Sequence, residues 1–219
     1  MARLSVNPTR MELKNLKKKL DTSRRGHKLL KDKRDELMRR FMELVGENER
    51  LRKEVEQGIN EANRRFASAQ AAMEKSEFET ALMLPKQEVS IELSQKNIMS
   101  VNVPVFDAKF RSQNPGDVYS YGFAFTPAEL DEGVKTLSDI FPKMIRLAEV
   151  EKACFMLADE IESTRRRVNA LEHIMIPRYE ETIKYITMKL DENERSTTTR
   201  LMKVKNMMLE QAQDRKSVV

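Results

Sequence analysis

The sequence predicts a mainly α fold: a long antiparallel two-helix left-handed coiled coil, with a short β-hairpin and a short helix at the fold-back end. Three observations predict it. A heptad stripe near the N-terminus reads Leu13, Leu16, Leu20, Ser23, His27, Leu30, Arg34, Leu37, Phe41, Leu44, Asn48, Leu51, Val55. A second stripe reads Leu147, Val150, Cys154, Leu157, Ile161, Thr164, Val168, Leu171, Met175. Most of the prolines lie between the two stripes. Alternating steps of three and four average about 3.5 residues per turn, which keeps one seam toward a partner helix as the pair supercoils left-handedly.

Taken in order, residues 1–6 are expected to be frayed, and Asn7-Pro8 reads as a helix start, an N-cap followed by Pro at the first helical position. The N-terminal long helix of the coiled coil then spans residues 1–84 as a region and stops at Pro85. Past Val55 its stripe slips by one residue, to Ile59, Ala62, Phe66, Ala69 and Met73. Gly26, Gly46 and Gly58 are either solvated flaws or points of close contact, each costing about 1 kcal/mol of helix propensity relative to Ala.

Residues 85–125 change period. Val89, Ile91 and Leu93 alternate with polar residues, as do Met99, Val101, Val103 and Val105, predicting two strands joined near Gln95–Asn97. Asn114-Pro115-Gly116-Asp117 reads as a turn. Thr126-Pro127-Ala128-Glu129 has the capping-box arrangement and opens a short helix over 126–141, which Pro142 breaks or kinks. The C-terminal long helix covers 142–210, with a bend at Pro177 and a stripe continuing through Tyr179, Ile183, Ile186, Leu190 and Asn193. Residues 211–219 are expected to be a disordered tail. Each long helix would extend on the order of 100 Å. A fold-back centred on 85–125 would set Leu37 near Ile174, Leu51 near Glu160 or Ile161, Arg165–Arg167 beside Leu44–Gly46, and His173 near Met38.

Composition narrows the function classes. Charged residues make up 34 % and aromatics 6 %, with no Trp and only six Gly, the profile of long exposed helices. No stretch approaches the roughly 18–20 apolar residues that span a bilayer, and no secretory signal pattern opens the chain, so a cytoplasmic location without direct membrane insertion is expected. The single Cys154 falls on the second stripe and is read as a reduced core residue. The net charge is +5, but the first 40 residues hold fourteen Lys and Arg against five Asp and Glu, and residues 195–219 hold six against two. Antiparallel pairing brings these basic segments to one end and leaves the remainder acidic, a dipole that can orient docking to an acidic surface.

The chain offers no catalytic constellation. His27 and His173 lie on different helices with one Cys, too few for a metal site, and no phosphate loop, nucleophile elbow or redox Cys pair is present. No cofactor is implied. Lys17-Lys18-Lys19, Arg24-Arg25 and Arg165-Arg166-Arg167 could bind phosphate backbones, but few aromatics interleave them and solvated helix faces are the favoured reading, so nucleic acid is not expected as a partner. Asn48 on the first stripe reads as a register-fixing polar core position. The small residues of Phe66–Met73 leave room for a third helix, although Ala is also simply a good helix former.

Several of these segments resemble the D subunits of the V-type (vacuolar/archaeal-type) ATPases, in a bacterial or archaeal form. They are Asn7-Pro8-Thr9-Arg10 with Leu13, Leu16 and Lys17, then Gly26–Leu37, Asn97-Ile98-Met99-Ser100-Val101, Ala148–Lys152, Ile161-Glu162, Thr164–Glu172 and Ile176-Pro177. The resemblance spans nearly the whole chain and is weak over Phe106–Phe125 and after Met208. It implies a non-catalytic rotor shaft standing inside a hexamer of A and B subunits. The smaller F subunit binds its side, and a socket subunit (C or d) above the membrane ring receives its far end. Rotation would couple ATP hydrolysis or synthesis to ion movement, and ion selection belongs to the ring. The shaft would be peripheral to the membrane.

On this reading the hexamer contact falls on Arg10, Lys14, Lys17, Arg24, Arg25, Lys28, Lys203 and Lys205. The contact with the F subunit falls on Ala62, Ala69, Ala72, Met73, Leu147 and Phe155, and the β-hairpin is dispensable for the helix pair. The alternatives are a coiled-coil tether or chaperone holding a partner helix, and a basic coiled-coil arm gripping nucleic acid. The first would bind one partner without nucleotide dependence, and the second would bind duplexes with steep salt dependence.

Overall fold

The structure is a computed structural model and describes residues 4–112, 114–122 and 126–217. The element order is α1 (Arg10–Ala72), α2 (Lys75–Leu82), β1 (Val89–Ile98), β2 (Val101–Phe110), a 3-10 turn (Pro115–Val118), α3 (Ala128–Ala170), a π-helical turn (Leu171–Met175) and α4 (Ile176–Ser217). The fold is mainly helical with one two-stranded antiparallel hairpin, as the sequence predicts. The chain divides into two compact units, one of Met1–Asp32 with Thr164–Val219 and one of Lys33–Ser163, and α1 and α3 contribute residues to both.

In the second unit, α1 and α3 pair antiparallel. The cross-helix ion pairs are Lys33–Glu160 at 2.8 Å, Glu47–Arg146 at 3.0 Å, Glu54–Lys143 at 2.9 Å and Arg65–Glu132 at 2.7 Å, so one residue number rises as the other falls. Val55, Ala62 and Ala69 are buried and keep the original seven-residue phase, while the slip shows at the alternate positions, where Ile59, Phe66 and Met73 are half-buried and Arg65 and Ala72 are exposed. At Gly58, the unshifted alternate position, an added Cβ would overlap the Ile140 side chain, so the missing side chain is the hole into which Ile140 packs. Gly58 is thus a close contact, whereas Gly26 and Gly46 face open space.

The expected register needs correction. Leu37 packs with Ala153, Leu157 and Ile161, not near Ile174, and Glu47 meets Arg146, so Leu51 lies well short of Glu160. Arg165–Arg167 belong to the first unit and Leu44–Gly46 to the second. The reason is that α1 stops at Ala72 rather than at Pro85, and α2 forms a separate helix that does not extend the pair. The fold-back is therefore centred earlier in the chain than a loop over 85–125 implies.

Other boundaries also shift. Helix α3 runs through Pro142 instead of ending at Phe141, because Ile140 and Ile145 on either side are both buried and packing outweighs the one missing hydrogen bond. Helix α1 starts at Arg10, and Thr9 rather than Asn7 caps it, its hydroxyl accepting the Glu12 N–H at 3.2 Å. The Thr126 hydroxyl does not cap α3 but donates to the Gly122 carbonyl at 3.2 Å. Helix α4 continues to Ser217, past the expected end at Glu210, while Val218 and Val219 lie outside the described residues. Of the segment expected to fray, Leu4 and Val6 are half-buried and the Leu4 N–H donates to Thr182 Oγ1 at 3.3 Å. Residues 1–3 lie outside the described set.

The hairpin turns at Met99-Ser100, not at Gln95–Asn97, with φ of 51° and 73°. Two positive-φ residues in a two-residue loop are what the right-handed strand twist favours. With no Gly there, Asn97 supports the turn, accepting the Ser100 N–H at 3.0 Å while its amide donates to Asn102 Oδ1 at 2.7 Å. The hairpin lies along the helix pair of its unit. Phe110, at its base, meets Phe141 edge-on with centroids 6.3 Å apart. Val101 and Val103, toward its tip, complete a core with Leu37, Ala153, Leu157 and Ile161, flanked by Phe41, Leu44, Ile98 and Met156. This packing runs against the expectation that the hairpin adds little to the helix pair and is dispensable for it.

In the first unit, the start of α1 pairs antiparallel with α4 through Arg10–Glu194 and Arg24–Glu180, the latter at 2.6 Å, and His27 meets Glu172 at 3.3 Å. Leu16, Thr164, Val168, Thr182 and Ile186 are the buried residues of this seam.

Candidate functional site

Surfaces, not an enclosed centre, carry the candidate site. Among the described residues no group of three or more His, Cys, Asp or Glu could hold a metal ion. His173 is exposed, and it is its neighbour Glu172 that pairs with His27. Cys154 is half-buried on the second-unit seam. Burial pushes its thiol above the ordinary range, while a hydrogen bond with Asn48 pulls the other way. A thiol held protonated is a poor nucleophile. Tyr121, near the fold-back, donates its hydroxyl to Asp131 at 2.8 Å, and burial together with that carboxylate raises its pKa. Beside it lies an apolar cavity of about 610 Å³ lined by Phe66, Phe78, Leu82, Val118 and Leu137 among others.

The basic surface belongs to the first unit. Arg10, Lys14, Lys17, Arg24, Arg25, Lys28, Lys203 and Lys205 are all exposed. Helical spacing explains this, since none of them falls on the seam that holds Leu13, Leu16 and Leu20. Three of the eight are already engaged: Arg10 with Glu194, Arg24 with Glu180 and Arg25 with Asp21. Exposed pairs of this kind contribute about 0–1 kcal/mol each and exchange partners readily.

The small-residue surface of the second unit divides. Ala62 and Ala69 are 1 % and 0 % exposed, so their small size serves close packing within the chain and removes them as a docking surface. Ala72 is exposed, Met73 and Leu147 are half-buried, and Phe155 is 61 % exposed with the Lys152 ammonium 5.3 Å from its ring centroid.

One surface escaped the sequence reading. The strand register pairs Ile91 with Ala108 and Leu93 with Phe106, but Lys96 with Val103 and Ile98 with Val101. Directly opposed residues share a face. Ile91 and Leu93 therefore face away from the side that Val101, Val103 and Ile98 occupy, and are 50 % and 73 % exposed. Locating the turn at Met99-Ser100 would have revealed this, because a two-residue loop there sets odd-numbered residues of the two strands on opposite faces.

No helix is long and apolar enough to cross a membrane among the described residues. The family model describing the D subunits of ATP synthases matches residues 12–206. The V-type ATP synthase D subunit of Clostridioides difficile (strain 630) is 58 % identical over 216 residues, covering 99 % of this chain and 97 % of that protein. That of Acetivibrio thermocellus is 58 % identical over 212 residues, covering 97 % and 96 %. That of Clostridium botulinum (strain Alaska E43 / Type E3) is 56 % identical over 209 residues, covering 95 % and 98 %. With a family model spanning nearly all of it and relatives this similar end to end, the chain belongs to the family of ATP synthase D subunits.

Proposed function

We propose that this chain is the central rotor axle of a V-type ATPase or ATP synthase. It would couple ATP hydrolysis or synthesis in a hexamer of A and B subunits to ion translocation by the membrane ring, contributing no catalytic group of its own. The observation that carries this reading is the near-full-length similarity to the D subunits of V-type ATP synthases, in a chain built of antiparallel helix pairs. A turning axle needs contacts that are numerous, weak and replaceable, because each must break at every step. Exposed Lys and Arg on a helical surface meet that requirement.

The basic surface of the first unit is the part enclosed by the hexamer, and Lys14, Lys17, Lys28, Lys203 and Lys205 are its leading contacts. The F subunit packs on the second unit through Phe155, with Leu147 about two turns along the same helix; Ala72 and Met73 sit at the fold-back end of α1, beyond the Arg65–Glu132 pair, and are too distant to share that contact. The socket subunit, C or d, receives the fold-back around α2. The axle works as a peripheral part of the complex, on the cytoplasmic side of the membrane.

The deciding experiment is co-purification of an ATPase hexamer with the affinity-tagged chain from its native host. Reversing the five lysines to Glu should abolish recovery of A and B while leaving the circular dichroism of the isolated chain unchanged. Recovery at the wild-type level would sink the hexamer contact. Phe155→Glu should release F and retain the hexamer, and an unaltered F content would remove Phe155 from that interface.

A further inference from the structure

The seam of the first unit has a gap, set by the helix opposite α1. On α1, Leu16 is 1 % exposed, and from Lys17 to Asp32 no residue is buried, as is also so from Met38 to Glu54, with Leu20, Ser23, His27 and Leu30 half-buried. On the opposing helix Val168 and Thr182 are almost completely shielded, and nothing between them is buried. The stripe positions of α1 in this interval include Ser23 and His27, and a Cβ added at neighbouring Gly26 would meet nothing within 4 Å. The pairs that cross the gap, Arg24–Glu180 and His27–Glu172, have carboxylates about half exposed to solvent.

The backbone is irregular in the same interval. Leu171–Met175 is a π-helical turn, closed by the Ile176 N–H donating to the Leu171 carbonyl. Pro177 follows within two residues and supplies no N–H, so the His173 carbonyl lacks its usual α-helical donor. A π-turn commonly marks a bend or a functional site in a helix. Most helical stability in proteins comes from packing of an apolar face rather than from propensity. Here the packing, the hydrogen-bond ladder and the opposing side chains are all thinned at one place.

We propose that residues 171–181, facing Ser23–Leu30 of α1, form a compliant joint within the first unit. Local opening there lets α4 beyond Thr182 tilt without unfolding the seam at Leu16 and Ile186. The joint gives the surface carrying Lys203 and Lys205 more than one orientation toward a partner. It does not depend on the rotor reading, because it is a property of the isolated chain.

Hydrogen exchange of the full-length chain, read by mass spectrometry, tests it. Amides of 171–181 should exchange about ten-fold or more faster than those of 183–190, as local opening costs less than opening of packed helix. Equal protection in the two segments would overturn the joint. The double variant Ser23→Leu, His27→Leu fills the gap from α1 and leaves every helix former in place. It should slow exchange in 171–181 by about ten-fold relative to wild type, with little change in 150–157. An unchanged rate, or a slowing spread evenly along the chain, would overturn the proposal. A second variant, deletion of Ile174 with Pro177→Ala, returns the π-turn to α-helical phase and should slow the same amides. If it does not fold, the seam-filling variant decides alone.

Discussion

At the residue scale, glycines with the same helix cost have opposite roles. Gly58 receives the Ile140 side chain, so Gly58→Ala forces that contact apart and should destabilise the chain by about 1–3 kcal/mol, as overpacking does. Gly46 is surrounded by open space, and Gly46→Ala should stabilise by about 0.5–1 kcal/mol through helix propensity. Urea denaturation of the two variants against wild type checks both signs at once. A Gly58→Ala variant as stable as wild type would show that Ile140 has another rotamer to occupy. Thr9 is a similar case at a helix end: Thr9→Ala removes the acceptor for the Glu12 N–H and should cost about 0.5–2 kcal/mol.

At the element scale, the hairpin belongs to the core of its unit. Val101 and Val103 are 8 % and 4 % exposed against Leu37 and Leu157, so replacing residues 87–125 with a Gly/Ser linker should lower the melting temperature and the cooperativity of the second unit. Leu157→Ala, at the centre of that cluster, should cost about 2–5 kcal/mol. Its turn is suboptimal: Met99 and Ser100 both hold positive φ, a conformation that costs a non-glycine residue roughly 1–2 kcal/mol. Met99→Asn with Ser100→Gly supplies the residues such a turn prefers and should raise the melting temperature, measured by circular dichroism. The outward face behaves differently. Ile91→Ser with Leu93→Ser should cost little stability, since Leu93 is largely and Ile91 half exposed, and the larger effect should appear in the assembled complex.

At the scale of the whole molecule, charge sets the response to pH. Hydrogen bonds from Arg39 to Glu36, from Lys53 to Glu49 and from Lys143 to Glu54 hold these carboxyls below their ordinary value of 4.5. A lowered folded-state pKa means the contribution is complete above the unfolded value and is lost as pH falls through the folded one. Thermal stability from these pairs should therefore be flat above pH 4.5 and decline below it, with a small amplitude because the pairs are exposed. Melting curves across the acid range test this, and Lys143→Met should flatten part of the decline. A decline that begins well above pH 4.5 would point to groups other than these carboxylates.

The stripes, the helical class, the slip after Val55, the strand pair and the family were all legible in the sequence, because each depends on local periodicity or on matching residues. A period of about 3.5 or of two is written into neighbouring side chains, whereas the choice between solvated flaw and close contact at Gly58 was made only by the packing of Ile140. The register between helices was not legible. It depends on where α1 ends, and nothing local distinguishes Ala72 from Pro85 as that end once α2 is itself helical. Nor was the burial of Val101 and Val103 against Leu37 and Leu157, residues far apart in sequence. The passage of α3 through Pro142 and the π-turn before Pro177 follow the same rule. A proline states only that one hydrogen bond is missing, and the packing around it, which only the tertiary structure supplies, decides whether the helix ends, continues or bulges.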